Sequence, residues 1–517
     1  MLALAPSLIL FVAAAVLVTL RFARPSFRYL WLISIGAGLF ALAGVMAWQP
    51  VLPLLIRMPG WQPGQFDVEP LAFGMDGLLW PLGMSVCVLN LAVLLTSGNH
   101  DGEPDLLTWS GSLVLSGLAL LAVTAATPIT LVLVWTAFDL IQFTAQLLSG
   151  QGPSGSDSAV AGLASRLFGT GLLVGTTLSA RVPGAEGSVE SFAGPVGAAL
   201  IAAVAFRLGP FSLHPSATMD PARRRGLGTA LRLTSAVSSL VVAARVPLGS
   251  GPIAQIVVLI LVAMAGLAAG WYWLMADNAV IGRPYWVVAV SALAVASAIN
   301  GSPEATVAWS AAMLLAGAAL FLRSGEGIGW RPVLLAGAWG ISTLPFSLTA
   351  VAWERPPFTA VPFLPALLAI QALIATGYIR KALQAAKDTP PAATTAWTRR
   401  AEQVGMALSG SSLLLLGLWG WQGAFRPGGV LLSLVSAVLM LGLFWVTGRS
   451  HTLKLRAEWL SRIIRTLQQQ SVVVWGLLRG LGGPTSAITT TLEGAGGVMW
   501  SLLFLVLIIS LLAQSTP

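Results

Sequence analysis

Apolar runs of roughly 20 residues recur from one end of this chain to the other, separated by short polar segments. Their centres fall near residues 11, 39, 87, 115, 138, 170, 200, 237, 264, 292, 312, 343, 370, 413, 438 and 503. A helix rises about 1.5 Å per residue, so each run is long enough to cross roughly 30 Å of hydrocarbon. Strands of a membrane β-barrel would alternate apolar and polar residues over shorter segments, and no such alternation is present. The pattern predicts an all-α polytopic membrane helix bundle of about sixteen transmembrane helices.

The intervening segments are mostly short. Gln49 to Pro70 is proline-rich, contains Pro59-Gly60-Trp61-Gln62-Pro63, and reads as an outer loop. Gly150 to Asp157 is rich in Gly and Ser, and Ala382 to Thr398, with Asp388-Thr389-Pro390-Pro391, reads as an inner linker. Leu453 to Arg479 has a different period. Leu453, Ala457, Leu460, Ile464 and Leu467 share one helical face, with Glu458, Arg462, Arg465 and Gln469 opposite. This predicts a lateral amphipathic helix along the membrane interface, or else a cytoplasmic helix packed on a partner protein. A final span over about 497–513 follows.

Composition reinforces the membrane reading. Of 517 residues, 56% are hydrophobic and 9% charged, against about 25% charged in soluble domains; mean hydropathy is +0.83. Cys87 is the only cysteine, and the histidines are His100, His214 and His451. A disulfide, an iron–sulfur cluster and a cysteine-based zinc site are thereby excluded within the chain, and a dense histidine site is not expected. No Gly-rich phosphate loop is present, so ATP-driven transport by this chain is not expected, and neither cofactor nor metal is predicted. The first apolar run, about Leu2 to Leu20, lacks a preceding basic region and a cleavage site, and reads as a retained helix.

The net charge of +9 raises the question of a nucleic-acid partner, which the placement of the charges answers. Twenty Lys and Arg lie in the odd-numbered loops, including Arg223, Arg224, Arg225 and Arg283, five lie in the even-numbered loops, and Arg166, Arg207 and Arg232 fall inside apolar runs. The positive-inside rule puts the odd loops in the cytoplasm and both termini outside. The surroundings predicted are a lipid bilayer in the inner, cytoplasmic membrane, with no nucleic acid. Trp31, Trp48, Trp61, Trp330 and Trp500 lie near span ends, where indole favours the headgroup zone.

Several stretches resemble the antiporter-like membrane subunits of respiratory complex I, membrane-bound hydrogenases and Mrp-type cation/proton antiporters. Phe73-Gly74-Met75-Asp76-Gly77-Leu78 is close to the family's entry to its third span, and Leu133-Val134-Trp135-Thr136-Ala137-Phe138-Asp139-Leu140 looks like its fifth helix, where a buried Glu follows Trp. Ser165-Arg166-Leu167-Phe168-Gly169 is similar to the start of the sixth. Ala203 to His214, with Arg207, Gly209 and Pro210, resembles the broken seventh helix, and Thr343-Leu344-Pro345-Phe346-Ser347 resembles the break in the twelfth.

The resemblance implies two inverted five-helix repeats with broken helices near mid-membrane, and a central polar axis along which the family moves ions. The implied divisions are N-terminal spans and outer loop (1–72), an antiporter-like core (73–380), additional spans (381–450), the lateral helix with its linker (451–496) and a final anchor (497–517).

The chain departs from its relatives at the charged positions. Thr136 stands where the family has Glu, with Asp139 three residues on, near the same helical face. Arg207 stands for the seventh-helix Lys, Arg232 near the eighth-helix His, and Gly169 for the sixth-helix Asp. The twelfth-helix Lys or Glu aligns near Ala352, with Glu354 two residues away. Lys can lose its proton when buried, whereas Arg cannot. The axis therefore holds Asp139, Arg166, Arg207, His214 and Arg232, of which only Asp139 and His214 titrate. A charge at the bilayer centre costs on the order of 3 kcal/mol on insertion scales, so these groups call for a role.

Two roles follow. One is a subunit translocating H+ or Na+, coupled to a redox or uptake partner and carrying no redox centre of its own. The other is a non-conducting scaffold whose charges pair for packing, held among other membrane subunits of a hetero-oligomeric complex. A small-solute transporter is a weaker third reading. Asp76, at a loop-to-span boundary, reads as a helix cap, and His214, beside Pro215, as a relay or a structural histidine.

Overall fold

The computed structural model describes residues 2–25, 27, 29–58, 71–97, 105–149, 153–179, 196–208, 221–245, 252–323, 330–354, 362–384 and 396–449. Among these are fifteen α-helices: α1 (Ala5–Ala23), α2 (Leu30–Trp48), α3 (Trp80–Thr96), α4 (Leu106–Thr124), α5 (Pro128–Ser149), α6 (Pro153–Ser179), α7 (Val196–Leu208), α8 (Pro221–Arg245), α9 (Pro252–Met275), α10 (Ala279–Ile299), α11 (Pro303–Phe321), α12 (Arg331–Gly340), α13 (Leu364–Leu383), α14 (Ala396–Leu418) and α15 (Val430–Arg449). Eleven are long and apolar enough to cross a membrane. The lateral helix and final anchor expected after residue 450 lie outside the described residues, as do the expected break at Gly209-Pro210 and His214.

Residues 1–59 and 69–444 form one compact unit. Its centre is built from helices that are apolar on every side. In α3 every residue from Trp80 to Leu95 is buried, and in α11 every residue from Ala305 to Phe321. A helix apolar all round is at home only inside protein or lipid, and here protein surrounds both. α1 packs on α4 and α4 on α8, α13 packs on α9 and α9 on α10, and α8 and α10 meet each other.

Indole N–H groups tie neighbouring helices together. Trp31 donates to the Leu94 carbonyl (2.7 Å), Trp80 to that of Val45 (2.8 Å), Trp135 to that of Ser238 (3.0 Å) and Trp273 to that of Ile374 (3.1 Å). Trp31, Trp48 and Trp330 are buried, and Trp48 donates to the Leu2 carbonyl. A buried indole needs an acceptor, and carbonyls of adjacent helices supply it. Trp61 and Trp500 lie outside the described residues.

The segment read as an outer loop contributes a strand. β1 (Leu54–Arg57) pairs antiparallel with β2 (Ala72–Met75), Leu54 opposite Met75 and Arg57 opposite Ala72. The hairpin is fastened to the bundle: Ala72 N–H donates to Thr130 Oγ1 and Ala126 N–H to the Ala72 carbonyl. Arg245, the last residue of α8, donates to the carbonyls of Ala125, Gly74 and Val123. The third span accordingly begins at Trp80, later than the motif at Phe73 implies. Asp76 sits in the turn between strand and helix, its Oδ1 accepting from Leu79 N–H at 2.8 Å.

α12 stops at Gly340 and the chain crosses an irregular stretch before a short 3-10 helix, Ala350–Trp353. Thr343 and Phe346 take left-handed φ values of 58° and 64°. Backbone left open within a membrane must find partners inside the protein. Thr349 Oγ1 accepts from Thr343 N–H and donates to the Gly340 carbonyl, Gln371 Nε2 donates to the Ser342 carbonyl and to Thr343 Oγ1, and Ser433 donates to the Thr343 carbonyl. Trp353 Nε1 donates to Gln371 Oε1 at 2.7 Å. Every one of these groups is neutral.

Candidate functional site: a buried arginine–aspartate network

α5 presents Trp135, Asp139, Gln142, Gln146 and Ser149 at alternating spacings of four and three residues. On a helix these stack along one face. Asp139 is eleven residues from Pro128 and ten from Ser149, so it lies at the middle of α5, and it is fully buried. Arg166 lies thirteen residues from either end of α6. Arg207 is the penultimate residue of α7.

The three side chains meet. Arg207 clasps Asp139 with two bonds, Nη1 to Oδ2 at 2.6 Å and Nη2 to Oδ1 at 2.9 Å. Arg166 Nε approaches Oδ1 at 3.4 Å. Thr170, one turn beyond Arg166, accepts from Arg207 Nη1 at 2.8 Å and donates to the Arg166 carbonyl at 3.1 Å. The Arg207 guanidinium lies 4.1 Å from the centre of the Trp135 ring, a favourable cation–π placement. Two-pronged Arg–carboxylate pairing is among the strongest hydrogen-bonded arrangements available to side chains.

Close approach of α6 and α7 makes this reach feasible. A Cβ at Gly169 would lie 2.7 Å from both the Ala203 carbonyl oxygen and Arg207 Cγ. Ser165 Oγ also donates to the Phe206 carbonyl at 2.7 Å.

The remaining sequence candidates divide. Arg232, on α8, is half-buried and lies within the electrostatic reach of Arg166. Thr136 is half-buried and its hydroxyl donates to the Val132 carbonyl of its own helix. Glu354 forms a partly exposed ion pair with Arg426 at 3.5 Å, a type contributing about 0–1 kcal/mol. Neither bonds to Asp139, because the Thr136 hydroxyl bonds back to the carbonyl one turn earlier in its own helix and Glu354 follows the 3-10 helix, where it pairs with Arg426. Among the described residues no group of three or more His, Cys, Asp or Glu could hold a metal.

Arg283 is a correction. Assigned to a loop from its position between apolar runs, it lies in α10 and is only 2% exposed. Its Nη1 donates to the Arg224 carbonyl at 2.8 Å and to Thr229 Oγ1 at 2.7 Å. Thr170, Gly169 and the stacking role of Trp135 were also not evident from sequence; the one trace of Thr170 is its i+4 spacing from Arg166.

Chemically, the network is a fixed-charge device. Its one carboxylate is shared by two guanidiniums that do not deprotonate, and the arrangement can hold an acidic or anionic group more readily than it can pass a proton. At the α12 break, the second polar locus, Gln371, Thr343, Thr349 and Ser433 supply hydrogen bonds and no titrating group.

No protein-family profile matches the sequence, and no curated protein does. Among solved structures, the chain is similar to one of "Structure of Mrp complex from Dietzia sp. DQ12-45-1b", with a TM-score of 0.72 and 14% identity over 100% of this chain and 63% of that one. It is also similar to a chain of "Respiratory complex I from Thermus thermophilus with bound NADH", with a TM-score of 0.62 and 18% identity over 85% of this chain and 100% of that one. The chain therefore spans less than two thirds of the Mrp chain it matches. At these identities the likeness is one of fold: a multi-pass helical bundle shared with these chains of the Mrp complex and of respiratory complex I.

Proposed function

We propose that this chain is a membrane subunit of a multi-subunit energy-converting complex, placed in the inner membrane with both termini outside, and that it acts there as a non-conducting, structural antiporter-like subunit. The observation that carries the structural role is the clasp on Asp139. It is the only buried carboxylate among the described residues, and two bonds from Arg207 with Arg166 alongside hold it as an ion pair. Both of its oxygens are taken up by guanidinium N–H groups of the chain itself. The neutral break after α12 adds no second carrier.

Translocation of H+ or Na+ along the axis is the competing reading. One observation favours it: Gln142 Oε1 and Gln146 Oε1, on the Asp139 face of α5, are buried without a hydrogen-bond donor, as the walls of a hydrated half-path would be. Purification from membranes in mild detergent, with identification of co-purifying subunits, tests the assembly role. Reconstitution into liposomes with a pH-sensitive and a Na+-sensitive dye tests conduction. No stable membrane partner would overturn the subunit reading, and a flux lost on Asp139→Asn in a fully assembled complex would replace the structural role with the conducting one.

A further inference from the structure

The loop between α14 and α15 folds back onto the break after α12, and the two segments present aromatic rings together. Phe346 N–H donates to the Arg426 carbonyl at 3.0 Å, and Phe425 N–H to the Gly417 carbonyl at 2.8 Å. The two phenyl rings lie 4.8 Å apart between centroids, tilted by 32°. Both residues hold left-handed backbone, with φ of 64° and 53°. Bulky side chains rarely take that conformation, and it persists only where the surroundings impose it. Close approach at two glycines holds the segments in place: a Cβ at Gly417 would stand 2.7 Å from the Phe346 carbonyl oxygen, and one at Gly428 would stand 2.6 Å from that of Ala350. The strain does not serve to bury the rings. Phe425 is 64% exposed, Phe346 39%, and Trp419, two residues after the contact at Gly417, 56%.

An ion pair borders the rings. Arg426 directly follows Phe425; its Nη1 lies 3.5 Å from Glu354 Oε1, and its Nε and Nη2 meet the Gln422 carbonyl at 3.4 and 3.2 Å. These contacts are long and both side chains are partly exposed, so each charge keeps capacity for a further partner. Beyond the loop the exposed surface is aliphatic, with Leu418 on α14 and Leu431, Leu434 and Val438 on α15. Both helices are long and apolar enough to cross a membrane, and a loop joining two such spans falls where hydrocarbon gives way to headgroups.

We propose that this corner binds one phospholipid with a zwitterionic headgroup of the phosphoethanolamine class, its phosphate on Arg426 and its ammonium on Glu354. Guanidinium matches phosphate oxygens with forked donors, and phenyl and indole rings favour the zone between headgroup and acyl chain. A purely anionic headgroup would meet the Glu354 carboxylate beside the guanidinium, whereas a headgroup carrying both signs answers both. The aliphatic faces of α14 and α15 continue the aromatic shelf and take the acyl chains. The proposal rests on the membrane reading of the chain and not on its role as conductor or scaffold.

The test is native mass spectrometry of the full chain, stripped of lipid in detergent and titrated with phosphatidylethanolamine, phosphatidylglycerol or glycerol 3-phosphate. One phosphatidylethanolamine per chain is expected to bind first and more tightly than phosphatidylglycerol, and glycerol 3-phosphate should not displace it. Arg426→Gln should weaken it by about tenfold, Glu354→Gln should remove the preference for phosphatidylethanolamine, and Arg331→Gln, at the exposed start of α12, should change nothing. A photo-reactive phenylalanine analogue in place of Phe425, irradiated in native membranes, should give lipid adducts. If a variant fails to fold, the wild-type preference and the adducts still decide. Tighter binding of phosphatidylglycerol, displacement by glycerol 3-phosphate, binding undiminished in Arg426→Gln or a preference unchanged in Glu354→Gln overturns the proposal. Adducts at position 425 to protein alone, as a docked partner subunit would give, or no adduct at all, also overturn it.

Discussion

Arg207 reaches Asp139 across a gap that closes only because residue 169 is glycine. A Cβ there would stand 2.7 Å from Arg207 Cγ and equally close to the Ala203 carbonyl oxygen, and the latter belongs to backbone that cannot swing aside.

Gly169→Ala is therefore expected to push α6 from α7 and cost about 1–3 kcal/mol, the range for overpacking. Gly171, two residues on, has nothing within 4 Å of its would-be Cβ. Gly171→Ala should be neutral or slightly stabilising, since Ala is the better helix former. Unfolding of both variants in SDS titrations compares them directly; equal effects would refute the close-approach argument.

Asp139→Asn keeps the shape and removes the charge, leaving Arg207 without its buried partner. Removing one member of such a pair typically costs about 3–5 kcal/mol. The expected result is lower stability and lower yield of assembled protein, with no separate transport defect. Arg207→Gln should behave alike, and the double variant should lose less than the sum of the two. Additive losses in the same unfolding assay would mean the two side chains do not act as a unit.

Gln371→Leu preserves volume but leaves Trp353 Nε1 without its acceptor at the α12 break, while the Ser342 carbonyl keeps the Thr343 hydroxyl. A buried group so stranded costs about 1–3 kcal/mol. Trp353→Phe removes that orphan, so adding it to Gln371→Leu should cost less than Trp353→Phe does alone in the wild-type protein. Thermal melts of the four proteins give the comparison.

The proposed topology is checked by labelling intact cells with a membrane-impermeant thiol reagent. Native Cys87 is buried, so background should be low. Leu2→Cys should react from outside and Arg224→Cys only after the membrane is opened. The reverse result would invert the orientation.

The spans were legible because their signal is local. Fourteen of the sixteen predicted centres fall inside described helices; residue 343 falls in the break just after α12, and residue 503 lies outside the described residues. Hydrocarbon thickness divided by helical rise fixes run length, and no tertiary information is needed. The α12 break was readable from the resemblance of Thr343-Leu344-Pro345-Phe346-Ser347 to the family's broken twelfth helix, and a proline there fits the observed break. Asp139, Arg166 and Arg207 stood out because charge inside an apolar run is costly wherever it points.

What the sequence alone could not decide was direction and distance. In a bilayer the lipid-facing side of a helix is as apolar as the protein-facing side, so the pattern that reveals a buried face in water is missing. α3 and α11, wholly enclosed, read no differently from a lipid-exposed span such as α15. Arg283 looked like a loop residue because a charge near a run boundary marks the end of a span by local rules; only packing against Gly228 and Thr229 of α8 draws it inside. The bond between Asp139 and Arg207 joins residues 68 positions apart, and it exists through the azimuth of α5, the end point of α7 and the absence of a side chain at Gly169. The sequence determined which segments are long and apolar enough to cross a membrane and which charges lie within them, because length and cost are properties of each segment. Which of those charges meet was decided by how the helices rotate and approach, a property that no single helix carries.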